Sequence, residues 1–205
     1  MNLTADSFKD ILDELESRPL PINRFRKHVG DGRSQTFGVV HRRNLHPDYS
    51  RLCWLRPKLY KHLLDFADKY VDISYNAITV NQNYKSMPHY DKHNNGNSYL
   101  VAFGDFTDGT LKIHESDLSG NHDIKYNPIK ADFSKLLHST NDWSGNRYSL
   151  VFYQFDLPNR PVNLPLPSVR LEDDIYKFYR GEEYIDKKVG LPHNLKGRKK
   201  SNVKE

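Results

Sequence analysis

One run constrains this chain more than any other: Arg147-Tyr148-Ser149-Leu150-Val151-Phe152-Tyr153-Gln154-Phe155. Successive residues of a strand point to opposite faces. Tyr148, Leu150 and Phe152 therefore share one face, and Val151, Tyr153 and Phe155 the other. Both faces are apolar, which suits a strand covered on each side. Arg147 and Ser149 lie on the second face. A guanidinium turned into a packed interior is costly unless an anion pairs with it. Its fork suits a carboxylate held bidentately, with the Ser149 hydroxyl two residues along. No acidic neighbour in sequence is an obvious partner. Two readings stand: a bound dicarboxylate completes the site, or Arg147 starts the strand in solvent and pairs with a surface Asp.

Further strand signals surround this run. Ala77 to Tyr84, Ser98 to Phe103 and Gly109 to His114 are the clearest, the last after the turn signal Thr107-Asp108-Gly109. His122 to Tyr126 is weaker, Asp132 to His138 adds a fifth, and Thr36 to Val40 is a short early strand. Short strands separated by turns, with no βαβ alternation, predict a mainly β (α+β) chain built as a jelly roll. Two helices flank it on the N-terminal side. Residues 6–17 place Phe8, Ile11, Leu12 and Leu15 on one face after Asp6 as a cap, and Pro57 opens a second helix to about Tyr70. Residues 170–186 are predicted to hold a third helix on the spacing of Ile175, Tyr176, Phe178 and Tyr179. The expected organisation is an N-terminal segment over 1–75, a catalytic core over 76–160 and a C-terminal extension over 161–205 ending in a basic, mobile tail.

Composition narrows the setting. In 205 residues the hydrophobic share is 37%, with 13 Tyr and 10 Phe, enough for a packed, strand-rich core. No apolar run has membrane-spanning length, and the first residues lack the basic and apolar regions of a signal peptide. Cys53 is the only cysteine, which excludes a disulfide framework and a cysteine zinc cluster. An intracellular protein, cytoplasmic or nuclear, with no membrane or disulfide-linked partner is expected, and a monomer is favoured. The net charge of +5 suits a polyanionic partner and equally an ordinary basic enzyme.

The chemistry starts at Pro88-His89-Tyr90-Asp91-Lys92-His93-Asn94-Asn95-Gly96. His89 and Asp91 are two apart, so an extended backbone delivers an imidazole and a carboxylate side by side. These are two of the three ligands of a facial triad, the usual site for non-haem Fe(II) with open coordination positions. Among 10 His such a pair also arises by chance as a polar turn. His138 offers the third ligand, at the end of a candidate strand. The turn Asn141 to Asn146 then leads to Arg147, and a hairpin there would bring His138 and Arg147 to one cavity. His93 extends the alternation to His-x-Asp-x-His. Three same-face ligands in a row are too spread to close on one zinc ion, which leaves His93 to the substrate side or to supporting a metal ligand from behind.

Taken together, His89, Asp91, His138 and Arg147 resemble the signature of the Fe(II)/2-oxoglutarate dioxygenases. Within these, His89-Tyr90-Asp91-Lys92-His93-Asn94 is similar to the His-x-Asp-x-His-Asn of the TET methylcytosine dioxygenases, and Arg147 to Gln154 looks very like the TET strand that binds 2-oxoglutarate. The JBP thymine dioxygenases share the broader pattern. The resemblance spans roughly residues 76–155. It implies a double-stranded β-helix, with His89, Asp91 and His138 as iron ligands and with Fe(II), 2-oxoglutarate and O2 as cofactor and co-substrates. It implies that Arg147 and Ser149 hold 2-oxoglutarate, with Lys112 a looser further contact. It also implies that Asn94 reads the edge of a flipped base and Tyr153 stacks on it, since a base is oxidised only once out of the stack.

The departures are specific. Phe155 stands where TET proteins carry a base-contacting histidine, which leaves cytosine, thymine and further modified pyrimidines open. The cysteine-rich region of TET is absent, and the stretch from His138 to Arg147 is shorter than in animal TET proteins. The expected activity is hydroxylation of the 5-methyl group of a pyrimidine in DNA (RNA is the alternative), 5-methylcytosine first and thymine next. The rivals are an Fe(II)/2-oxoglutarate hydroxylase of a protein side chain, a repair demethylase of alkylated nucleic acid, and a non-catalytic jelly-roll module that binds nucleic acid.

Overall fold

The structure is a computed structural model that describes residues 2–22, 32–41, 46–156 and 162–186. The basic residues Arg42 and Arg43 and the tail from 187 onward lie outside the described residues. Among the described residues there are three α-helices: α1 (Lys9–Ser17), α2 (Leu52–Leu55) and α3 (Pro57–Tyr70). The strands are β1 (Arg33–Val40), β2 (Asp48–Tyr49), β3 (Ala77–Gln82), β4 (Asn94–Phe103), β5 (Phe106–Asp108), β6 (Leu111–Ile113) and β7 (Gly120–His122). They continue as β8 (Ile129–Ala131), β9 (His138–Thr140), β10 (Trp143–Gly145), β11 (Tyr148–Phe155), β12 (Pro167–Glu172), β13 (Ile175–Arg180) and β14 (Glu183–Tyr184).

The main sheet is antiparallel with order β2-β1-β3-β11-β4-β8, and it faces a smaller layer made of β7-β6-β9 and β10-β5. This is the jelly roll expected from the sequence. β11 sits inside the main sheet between β3 and β4, so both of its faces are covered, as its two apolar faces require. Tyr148, Leu150 and Phe152 pack with Phe8, Ile11, Leu59, Leu63 and Phe66 of the helical layer. Val151 belongs to a second cluster with Leu100, Leu111, Ile113 and Phe133, between the two sheets. Both long helices thus cover one side of the main sheet. Pro57 opens α3 as expected, whereas Asp6 lies inside a 3-10 turn (Ala5–Phe8) that precedes α1.

The strands expected over Asp132 to His138 and His122 to Tyr126 are not formed as such: residues 132–137 turn between β8 and β9, and β7 ends at His122. The structure corrects two further expectations. Residues 167–184 form the small antiparallel sheet β12-β13-β14 rather than a helix. Asp173 and Asp174 have φ of 49° and 60°. Two such residues in succession make the mirror-image turn that joins a two-residue hairpin, and Val169 and Phe178 then pair across it on the buried face. Second, β9 and β11 do not form a hairpin. β9 pairs with β6 in the small layer, while β11 pairs with β3 and β4 in the main sheet. The stretch from Asn141 to Asn146 is a crossing between layers, with β10 paired to β5 on the way. Among the described residues no helix is long and apolar enough to cross a membrane.

Candidate metal centre and active-site cavity

A cavity of about 850 Å³ opens between the two layers, within the range of small-molecule sites. Thr79 and Asn81 of β3, Leu100 of β4 and Ser149, Val151 and Tyr153 of β11 form its main-sheet wall. Leu111 of β6 and His138 and Thr140 of β9 face them. The segment from Tyr84 to Asn94 rims it.

His89 and His138 come together through the backbone. The two residues form an isolated antiparallel bridge and exchange N–H···O bonds of 3.0 and 3.1 Å. The Asp91 N–H donates to the Phe133 carbonyl at 3.0 Å. Each ring is then fixed locally: His89 Nδ1 lies 2.8 Å from the Met87 carbonyl, and His138 Nδ1 lies 2.8 Å from the Leu136 carbonyl. A carbonyl only accepts, so each Nδ1 carries the proton and each neutral ring presents its Nε2 lone pair. One ligand atom from each of His89, Asp91 and His138 lies within 4.8 Å of the others, close enough for one metal ion to be held by all three. Two imidazoles and one carboxylate are the donor set suited to non-haem Fe(II). Burial pushes the His138 imidazole below its ordinary pKa, which favours the neutral form a metal needs.

Asn94 takes a position that the sequence reading did not give it. Its Nδ2 donates to Asp91 Oδ2 at 3.2 Å and to Ser98 Oγ at 3.1 Å. The amide thus holds the Asp91 carboxylate in orientation, and both of its N–H groups are engaged within the protein. A base-edge contact, the role the resemblance implied for Asn94, would have to use Oδ1 or displace one of these bonds. Ser98, fully buried at the start of the apolar half of β4, anchors the device.

Arg147 is 3% exposed, which removes the alternative of a solvent-facing strand start. Its Nε donates to the Gly109 carbonyl at 3.1 Å, and its guanidinium lies over the Phe106 and Trp143 rings. No carboxylate pairs with it among the described residues, and burial lowers its pKa to about 10. Ser149 is equally buried and lines the same wall. A guanidinium and a hydroxyl in an apolar wall, with no anion beside them among the described residues, have the chemistry to receive an external carboxylate.

Tyr153 lines the cavity two residues further on, with its hydroxyl 3.4 Å from Thr79 Oγ1. It sits at the irregularity where β11 shifts register against β4. The ring of Phe155 lies 6.5 Å from that of His41 and 6.4 Å from that of His93. His93 is on the cavity rim. Lys112 is not at the cavity: it is exposed between the buried Leu111 and Ile113. The strand period of two turns it to the opposite face of β6. Sequence reasoning missed Asn81 and Gly109. Asn81 shares strand parity with Thr79 on β3, which was a usable signal. Gly109 was read only as part of a turn.

No family model matches this chain, and no curated protein matches it. Solved structures do. NgTET1 in complex with 5mC DNA superposes with a TM-score of 0.53 at 15% identity, over 75% of this chain and 69% of that one. A Pseudomonas putida prolyl-4-hydroxylase gives 0.46 at 11% identity, over 75% of this chain and 89% of that one. A 2OG-Fe(II) oxygenase family oxidoreductase from Burkholderia pseudomallei gives 0.45 at 16%, over 69% and 74%. The last two are too distant to support anything further. The likeness to NgTET1 concerns the fold: the two share the double-stranded β-helix, or jelly-roll, architecture.

Proposed function

We propose that this protein is an Fe(II)/2-oxoglutarate-dependent dioxygenase that hydroxylates the 5-methyl group of a pyrimidine base in DNA, with 5-methylcytosine the first candidate and thymine the second. One convergence supports it above all. The His89, Asp91 and His138 cluster shares a single cavity with a buried Arg147 that has no carboxylate partner among the described residues. A metal-binding triad alone fits many sites; a dicarboxylate receptor beside it points to 2-oxoglutarate.

In this reading His89, Asp91 and His138 hold iron, and Asn94 keeps the Asp91 carboxylate turned toward it. Arg147 and Ser149 grip the far carboxylate of the co-substrate. Iron with 2-oxoglutarate and O2 supplies the oxidation of a C–H bond, with succinate and carbon dioxide as co-products. The chain positions the methyl group and excludes water. Leu100, Leu111, Ile124, Phe133 and Val151 give the cavity a dry wall. Tyr153 offers a ring face to a planar base, and His93 stands at the mouth. The DNA in the NgTET1 complex favours a base over a protein side chain as substrate.

The test is incubation of the whole chain with Fe(II), ascorbate, 2-oxoglutarate and DNA carrying 5-methylcytosine, followed by mass spectrometry of the nucleosides. A 5-hydroxymethyl product that depends on all three additions is expected. If 5-methylcytosine and thymine both stay intact while added peptides drive succinate formation, the substrate is a protein side chain instead.

A further inference from the structure

Ser149 is where the proposed carboxylate receptor depends on a residue outside it. Its Oγ accepts a hydrogen bond from Asn81 Nδ2 at 3.1 Å. The two residues stand directly opposite each other, because Asn81 of β3 pairs with Ser149 of β11 in the sheet register. A serine hydroxyl has one hydrogen to donate and two lone pairs to accept with. With Asn81 donating to it, that hydrogen is directed elsewhere. Ser149 is 3% exposed and lines the cavity beside Arg147, so the available direction is the cavity.

The amide of Asn81 does little else. Its Oδ1 is buried and has no hydrogen-bond partner. With the amide in this orientation Nδ2 is the atom that meets Ser149 Oγ, and that direction of donation decides where the Ser149 hydrogen points. We infer that Asn81 is a positioning residue: by donating to Ser149 Oγ it aims the Ser149 hydroxyl hydrogen at the carboxylate that Arg147 holds. This deepens the proposed function and rests on its assignment of Arg147 and Ser149 to 2-oxoglutarate.

A double-mutant cycle tests it by equilibrium binding of 2-oxoglutarate to the Mn(II)-loaded protein under argon, by calorimetry, with no turnover involved. Asn81→Ala is expected to weaken binding about 5-fold, the scale of one hydrogen bond. Ser149→Ala should do the same. In the Ser149→Ala background, Asn81→Ala should change binding by less than about 2-fold, because Asn81 acts through the missing hydroxyl. Turnover should show the same pattern in KM for 2-oxoglutarate, with kcat nearly unchanged. Asn81→Thr, which suits a strand and lacks the amide, replaces Asn81→Ala if the latter fails to fold.

Additive losses would overturn the inference, since Asn81 would then act without Ser149. No loss in Asn81→Ala would overturn it as well. Arg147→Ala separates the two levels. If Arg147→Ala binds 2-oxoglutarate like the wild type, or if the wild type does not bind it, the co-substrate assignment fails and this inference with it. If Arg147→Ala loses binding while the cycle is additive, only the role of Asn81 fails.

Discussion

His89 and His138 are joined twice over: they exchange both backbone hydrogen bonds, and each ring donates Nδ1–H to the carbonyl two residues before it, at 2.8 Å in both cases. The backbone bridge sets the distance between the rings, whose centroids are 4.3 Å apart, and the side-chain bonds set which nitrogen is presented. Removing either ring should abolish Fe(II)-dependent turnover. His138→Ala should also eliminate metal binding measured by calorimetry with Mn(II), while unfolding stays cooperative. Tight stoichiometric Mn(II) binding by His138→Ala would sink the metal assignment.

Asn94 gives a sharper test, because its two suggested duties predict different losses. As the residue that orients the Asp91 carboxylate, Asn94→Ala should lower metal affinity by about 10- to 100-fold, the usual cost of losing such a partner. A base reader would leave metal affinity alone and raise only KM for DNA. Metal titration of Asn94→Ala decides between them.

Arg147 carries a buried charge with no carboxylate partner among the described residues. Arg147→Met should therefore raise the midpoint of thermal unfolding, with a gain on the order of 1 kcal/mol or more, while binding of 2-oxoglutarate is lost. Adding 2-oxoglutarate should stabilise the wild type and not the variant. A variant less stable than the wild type would mean that the Gly109 hydrogen bond and the Phe106 and Trp143 contacts outweigh the cost of burying the charge.

Gly109 positions Arg147 from behind. Its φ is +64°, and a Cβ there would lie 2.9 Å from Trp143 Cβ and 3.0 Å from Arg147 Cδ and Nε. Gly109→Ala should cost about 1 kcal/mol of stability from the backbone alone. It should also weaken 2-oxoglutarate binding by displacing the guanidinium. Normal co-substrate affinity in a destabilised Gly109→Ala protein would separate the two effects and remove Gly109 from the receptor.

Cys53 should be inert in the native state. Its thiol is fully buried and pushed up to about 12, and it accepts the Gly38 N–H at 3.1 Å. Alkylation monitored by mass should be negligible near neutral pH and should accelerate with denaturant in step with unfolding. Fast labelling without denaturant would contradict the burial.

The sequence carried the fold class and most of the site because both rest on the strand period of two. In Arg147 to Phe155 that period separates the helix-facing Tyr148, Leu150 and Phe152 from the cavity-facing Arg147, Ser149, Val151 and Tyr153. The same period brings His89 and Asp91 together, and it also argues against Lys112, whose neighbours Leu111 and Ile113 are the buried ones. Residues 170–186 misled because Ile175, Tyr176, Phe178 and Tyr179 suit a helix face as well as a hairpin. The left-handed backbone at Asp173 and Asp174 decides for the hairpin.

By itself, then, the chain determines alternation: which side chains share a face and which face must be dry. Tertiary structure alone decides what stands opposite. His138 meets His89 across two segments distant in sequence, and Asn81 meets Ser149 through a strand register that no local pattern encodes. The crossing from β9 to β11 puts His138 and Arg147 on facing layers of one cavity rather than on one hairpin. Local spacing fixes direction through the backbone period, whereas pairing between distant strands depends on the packing of the whole sheet.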